Sequence, residues 1–259
     1  LMGIPTLIQE QNVVPGITNR ILSHFVSQIA TGAIEANKFF PQDKVTFTGN
    51  PIRDEVVNIE RMPGYSAFDL DPAKKTVLVS GGSRGARTIN RAMVDVLKHF
   101  AGSRTVQILH ATGKGEYNDI MRRVADAGID LSKCTNLKVY PYLYNMPQAM
   151  AVADLAVFRA GATGLAELTA KGVPAVLVPY PYAAENHQEF NARAVEKAGA
   201  AQVILNSELT SELLINVIEK LLGNDKKLKE MAEASHSIGR PEAADTIGEI
   251  IMELAGKRA

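Results

Sequence analysis

Two stretches of this sequence place glycines where an apolar run gives way to helical spacing. Ser80-Gly81-Gly82-Ser83-Arg84-Gly85-Ala86 follows the run Thr76 to Ser80, and Arg159-Ala160-Gly161-Ala162-Thr163-Gly164 follows Leu155 to Phe158. Backbone N–H groups at such a junction, with the positive end of the helix dipole, suit a phosphate. Glycine lets an anion approach the backbone closely, and Ser83 adds a hydroxyl donor. The first stretch lacks both the Gly-Lys-Ser/Thr of a P-loop and a full G-x-G-x-x-G. Phosphate binding therefore competes with a plainer reading, a tight turn with Ser83 as the helix N-cap. Glu167 falls within the first turn or so of the helix after the second stretch. Its carboxylate can accept hydrogen bonds from a ribose diol, or can complement the helix dipole.

A third set lies beyond a rigid loop, Pro179-Tyr180-Pro181-Tyr182, where His187 and Gln188 open a helix. Gln offers a donor and an acceptor and can read a pair of sugar hydroxyls. A solvated helix start explains the same residues. Arg53 ends Gly49-Asn50-Pro51-Ile52-Arg53, and its planar guanidinium suits a diphosphate, though a surface arginine reads the same way. Glu10-Gln11-Asn12, with Pro15-Gly16 and Asn19, follows another short apolar run. The five histidines form no metal-ligand cluster, and neither H-E-x-x-H nor G-x-S-x-G occurs. These absences argue against a zinc hydrolase and an α/β-hydrolase.

The elements that must carry these residues alternate. Strands are expected at 76–80, 106–110, 137–140, 155–158, 175–178 and 201–205. Helices are expected at 85–100, 117–127, 146–153, 164–170, 186–198, 211–222, 226–234 and 242–254. That rhythm predicts a parallel sheet covered on both faces. Both glycine stretches then open on the same edge of one sheet. Before Asn50 the pattern gives three strands, at 6–8, 27–30 and 45–48, and a helix at 17–25, too little helix to cover a sheet on both faces. Residues 1 to about 50 read as the tail of a first domain, and Glu60 to Ala73, with Pro63, Gly64 and Pro72, as an inter-domain or surface loop.

Composition bounds the possibilities. The chain has 259 residues, 28 basic and 28 acidic, with 46% hydrophobic and 22% charged residues. That balance excludes a disordered chain and a basic nucleic-acid tail. The single cysteine, Cys134, excludes a disulfide scaffold and a multi-cysteine zinc site, and fits a reducing compartment. No apolar run reaches the roughly 20 residues a membrane span needs. The opening Leu1-Met2 is unlike a natural start and carries no basic signal region, so the front of the protein is expected to be missing.

The ordered set of motifs, Glu10-Gln11-Asn12, Gly49 to Arg53, Gly81 to Ala86, Arg159 to Ala162, Glu167, and His187-Gln188 through Asn191-Ala192, resembles the MurG family of bacterial peptidoglycan glycosyltransferases along essentially the whole chain. The resemblance implies an α/β, GT-B fold, two Rossmann-like domains facing across a cleft. Residues 1–52 would be the end of the N-terminal acceptor-binding domain, 53–240 a complete C-terminal UDP-GlcNAc-binding domain, and 241–259 a helix returning toward the first. The implied reaction is inverting transfer of GlcNAc from UDP-GlcNAc to the MurNAc C4 hydroxyl of lipid I, giving lipid II, without cofactor or metal. Backbone groups at Leu143 would hold uracil, with Met146 packing nearby; Glu167 would bind the ribose hydroxyls; Ser83 and the backbone around Ala162 and Thr163 would hold the diphosphate, with Arg53 close by. Gln188 with His187 would read GlcNAc hydroxyls, and Asn12 would touch the sugar from the other domain.

Gln9, Gly164 and His187 depart from the family's usual residues at those positions, His, Thr and in some members Gln. The family's proposed catalytic histidine lies in a glycine-rich loop absent from these residues, so no catalytic residue is assigned and the chain alone is expected to bind donor without completing transfer. The implied setting is the cytoplasmic face of the cell membrane, reached through the missing part of the first domain, with no nucleic acid as partner. Two other readings stay open: a different GT-B UDP-sugar enzyme, such as a diacylglycerol glycosyltransferase or a UDP-GlcNAc epimerase, and a non-catalytic nucleotide-sugar binding module.

Overall fold

The computed structural model describes residues 4–82 and 85–256. Three short strands, β1 (Leu7–Glu10), β2 (Gln28–Thr31) and β3 (Val45–Phe47), form a parallel sheet in that order, with α1 (Ile17–Leu22) and a 3-10 helix (Ile34–Phe39) in the connections. Val26, Ile29, Ala36 and Phe40 make its small core. The chain then passes through α2 (Asp54–Asn58) and α3 (Arg61–Phe68) into a larger unit.

There, strands and helices alternate as β4 (Lys75–Ser80), α4 (Arg87–Phe100), β5 (Val106–Ala111), α5 (Tyr117–Asp126), β6 (Leu137–Tyr140), α6 (Met146–Val152), β7 (Leu155–Phe158), α7 (Ala162–Lys171), β8 (Ala175–Leu177), α8 (His187–Lys197) and β9 (Ala201–Val203). Helices α9 (Ser211–Leu222), α10 (Asp225–Ile238) and α11 (Ala243–Gly256) complete the chain's described part. All six strands are parallel, in the order β6-β5-β4-β7-β8-β9. Central strands buried on both faces favour apolar residues, and β4 and β7 supply apolar runs, while β5 interrupts its own with the buried, hydrogen-bonded Gln107 and His110. One face is closed by Ile89, Met93, Val96 and Leu97 of α4, Ile120 and Val124 of α5, and the apolar stripes of α9 and α10. The other is closed by Tyr65 and Phe68 of α3, Met150 of α6, Leu165 and Leu168 of α7, and Ala192 of α8.

The stretch 60–73 is not a loop. Residues 61–68 form α3, and Tyr65 and Phe68 are buried. Pro63 stands in the first turn, where N–H groups have no helical partner to lose. Gly64 faces α6 so closely that a Cβ there would stand 2.6 Å from the Gln148 carbonyl oxygen. Both residues that read as punctuation are thus compatible with a helix pressed against a neighbour. Helix α4 begins at Arg87 with Ala86 as its N-cap, so Ser83, which lies outside the described residues, is not the cap. Helix α7 begins at Ala162, which moves Glu167 from the first turn into the second and away from the strongest part of the dipole.

Candidate functional site

The sheet order changes direction between β4 and β7: the chain builds outward from β4 through β5 and β6, then returns to build β7, β8 and β9 on the other side. Ligands of open α/β sheets bind outside the carboxyl ends of the strands at such a switch point. A cleft of about 900 Å³ opens there. Gly81, Gly82 and Gly85 from the turn after β4, and Gly161, Thr163 and Gly164 from the turn after β7, line it side by side. Gly82 and Gly85 have φ of +83° and +76°, which only glycine adopts without strain. A Cβ on Gly85 would stand 2.1 Å from the Thr112 carbonyl oxygen, so close packing as well as φ requires glycine there.

Arg53, Leu143, Met146, Glu167 and Gln188 also line the cleft. Glu167 is buried, and the Arg53 guanidinium donates from Nη2 to its Oε1 at 3.2 Å. The two groups expected to serve different parts of one ligand are therefore each other's partners. Gln188 is partly committed as well: its Oε1 accepts from the Tyr180 backbone N–H at 3.0 Å, which leaves its amide NH₂ as the group available to a ligand. Leu143 is buried with its neighbours Tyr142 and Tyr144 exposed, their rings 4.9 Å apart and Lys114 Nζ 5.4 and 5.3 Å from them. His187 is not among the cleft-lining residues; its Nδ1 is 2.7 Å from the Ala184 carbonyl oxygen. Ala162 lines a second, smaller pocket of about 200 Å³ between the smaller sheet and helices α7 and α8.

Asn12 reaches across from the smaller sheet, and the residue that receives it, Asn191, carried no assigned role in the sequence reading. Asn191 Nδ2 donates to Asn12 Oδ1 at 3.0 Å and to the Ala160 carbonyl at 3.3 Å, while its Oδ1 accepts from Val13 N–H at 2.9 Å. Behind Asn12, the buried Glu10 carboxylate accepts from the backbone N–H groups of Asn12 and Gly16 and from the side chain of Asn19, fixing the 11–16 loop. Gln9 donates to Asn50 Oδ1 at 2.8 Å. Arg159 was likewise read only as part of a motif. Its Nη1 donates to the carbonyls of Val178 and Pro179, both at 3.0 Å, and burial pushes its guanidinium below the usual arginine range. Arg159 could have been flagged as a charged side chain placed directly after an apolar strand, whereas Asn191 lies inside α8 and carries no such local signal. Among the described residues no group of three or more His, Cys, Asp or Glu side chains is gathered as a metal site.

Chemically, the cleft offers backbone N–H groups and helix N-termini to an anion, a carboxylate to a diol, and an amide NH₂ to a hydroxyl. The comparisons agree with that inventory. Residues 76–247 match the family model of the glycosyltransferase family 28 C-terminal domain. The UDP-N-acetylglucosamine–N-acetylmuramyl-(pentapeptide) pyrophosphoryl-undecaprenol N-acetylglucosamine transferase of Halothermothrix orenii is 47% identical over 98% of this chain and 70% of its own length. The transferase of the same name from Desulforamulus reducens is 50% identical over 97% of this chain and 68% of its own length. The crystal structure of Acinetobacter baumannii MurG superposes with a TM-score of 0.77 at 30% identity, covering 97% of this chain and 68% of that one. This chain belongs to the MurG family of glycosyltransferases, and its six-stranded unit is the C-terminal Rossmann-like half of the GT-B fold.

Proposed function

We propose that the cleft binds UDP-GlcNAc and that the chain serves GlcNAc transfer to lipid I, forming lipid II. The observation that carries this is the convergence of two glycine turns, from adjacent strands β4 and β7, with Glu167, Arg53 and Gln188 at one switch point, in a chain 47% identical to the Halothermothrix orenii transferase. The assignments are these. The Leu143 backbone holds uracil beside Met146. Glu167 takes the ribose diol. The glycine turns, Ser83 and the backbone at Ala162 and Thr163 take the diphosphate, with Arg53. Gln188 donates to a GlcNAc hydroxyl with His187 nearby, and Asn12 approaches the sugar from the smaller unit. Residues 1–52 and 53–240 correspond in this reading to the end of the acceptor domain and the donor domain.

In the transfer, the MurNAc C4 oxygen forms a bond to the anomeric carbon as the bond from that carbon to the UDP oxygen breaks. Configuration inverts, UDP leaves with the electron pair, and the hydroxyl proton passes to a base. No described residue is assigned as that base. Negative charge grows on the diphosphate as the bond breaks. The N-termini of α4 and α7 are preorganised to receive it, and the exposed guanidinium of Arg53 can turn from Glu167 toward it.

The membrane side of this reading draws on the smaller unit. Ile17, Ile21 and Phe25 are 67%, 57% and 79% exposed, with Arg20 beside them. Exposed apolar side chains on and just after a short helix suit a lipid surface on which the enzyme rests. Arg20 itself lies 3.7 Å from the Glu185 carboxylate, and no helix among the described residues is long and apolar enough to cross a membrane. Titration calorimetry with UDP, followed by displacement with UDP-GlcNAc and UDP-GalNAc, tests the donor assignment. Saturable heat with UDP and preference for UDP-GlcNAc are expected, and no heat at millimolar UDP would remove the assignment. Incorporation of labelled GlcNAc into a lipid I analogue tests the acceptor.

A further inference from the structure

Asn90 on α4 and His110 on β5 are fully buried behind the first glycine turn and do not line the cleft. Asn90 Nδ2 donates to the Thr112 carbonyl oxygen at 2.7 Å, and Asn90 Oδ1 lies 3.0 Å from His110 Nε2. Only one orientation of the amide serves both contacts. Because Nδ2 must face the carbonyl, Oδ1 must accept, and the His110 proton must sit on Nε2. His110 Nδ1 is then a buried lone pair, and it has no partner among the described residues. Burial also pushes the ring's pKa down to about 3, which keeps it in this neutral form.

The Thr112 carbonyl is the atom against which Gly85 packs, at a distance that no Cβ could share. Gly85 N–H in turn donates to the Gly82 carbonyl at 2.9 Å, closing the glycine turn. The backbone N–H of Asn90 donates to the Ala86 carbonyl at 2.8 Å, closing the first turn of α4. Asn90 therefore holds the end of β5 with its side chain and the start of α4 with its backbone, and the glycine turn lies between them.

We propose that Asn90 and His110 are positioning residues for the donor's diphosphate. His110 fixes the orientation of the Asn90 amide. Asn90 fixes the Thr112 carbonyl against Gly85. Together they set the spacing between the first glycine turn and the N-terminus of α4, two of the sources of N–H groups for a phosphate. The proposal rests on the reading of the cleft as a UDP-GlcNAc site.

Its signature is selective loss of phosphate recognition. The test is calorimetry of the protein and its variants with two probes, UDP and uridine, beside thermal unfolding of each variant. Asn90→Leu and His110→Leu are expected to raise the UDP dissociation constant about tenfold, roughly the contribution of one buried hydrogen bond, while leaving uridine within twofold. His110→Gln, whose amide can still donate to Asn90, is expected to restore most of the UDP affinity. A folded Leu variant that binds UDP like the parent, or that loses UDP and uridine in equal measure, overturns the positioning role while leaving the donor site intact. Parent protein that binds neither probe removes the donor site itself, and the proposal with it. Should the Leu variants not fold, Asn90→Asp decides: it keeps the acceptor for His110 but sets a carboxylate oxygen against the Thr112 carbonyl. The same selective UDP loss supports the proposal there, and an unchanged ratio of UDP to uridine affinity overturns it.

Discussion

Glu167 meets the cleft with one strong partner already in place. Its side chain is 11% exposed while that of Arg53 is 53% exposed, so the pair is anchored at the carboxylate and loose at the guanidinium. An ion pair with one exposed member contributes at most about 1 kcal/mol to stability. Arg53→Ala should therefore shift the denaturation midpoint little, yet weaken UDP while sparing uridine in a binding titration. Glu167→Ala should cost roughly 1–3 kcal/mol of UDP affinity, the range for hydrogen bonds to a charged group. The 2′-deoxy analogue should bind more weakly than UDP to the parent but equally to that variant; a parent indifferent to the 2′-hydroxyl would leave Glu167 as a partner for Arg53 alone. Gln188→Ala should erode the preference for UDP-GlcNAc over its C4 epimer with UDP affinity nearly intact, since only the amide NH₂ is free of Tyr180.

His110 carries a pH signature of its own. Its folded pKa, about 3, lies below the 6.5 of a free imidazole, so the unfolded chain binds the extra proton between those values. Stability from this group is complete above the unfolded pKa and falls as pH drops toward 3, by about 1.4 kcal/mol per unit. Urea midpoints at pH 7 and pH 5 should show that slope in the parent and not in His110→Gln. Glu167, Arg53 and Gln188 were legible in the sequence because their chemistry is written in residue type and in position after a strand. Asn191 and Asn90 were not, because their roles are contacts rather than types. Val13 and Asn191, for example, lie 178 residues apart in the chain.

At the scale of elements, α7 carries a glycine that a helix would rather exchange. A Cβ on Gly164 would meet only Phe158 Cδ1, at 3.8 Å, an ordinary contact, and its φ is not positive. Gly164→Ala should stabilise the protein by roughly 0.5–1 kcal/mol, read as a higher melting temperature. Helix α4 could be read in advance because Ile89, Met93, Val94 and Leu97 recur at helical spacing, and all four are buried. Helix α3 could not. Its Pro63 and Gly64 carry the local signature of a loop, and what makes them helical is the close approach of α6, which local sequence does not encode.

Across the whole molecule, the chain passes between its two sheets twice. It leaves the smaller one after Thr48 and comes back at Arg240, whose guanidinium lies 5.1 Å from the centre of the Phe47 ring. The two passages touch. Gly49, at φ of +84°, lies so close that a Cβ there would stand 2.4 Å from the Arg240 Cβ. Gly49→Ala should therefore strain both passages together. The buried clusters on the two faces of the large sheet run from Val56 to Met231 and draw on nothing outside that interval. A unit with its own core whose entry and exit adjoin is, in construction terms, a plug with both leads at one socket. Residues 53–240 should fold when expressed alone, unfold in one cooperative step and still bind UDP. The same geometry makes this unit transplantable. On the proposed reading, a donor unit spliced at these two points could be exchanged for one reading another sugar nucleotide, with the smaller unit left as it stands. New donor–acceptor pairings would then need no redesign of either core.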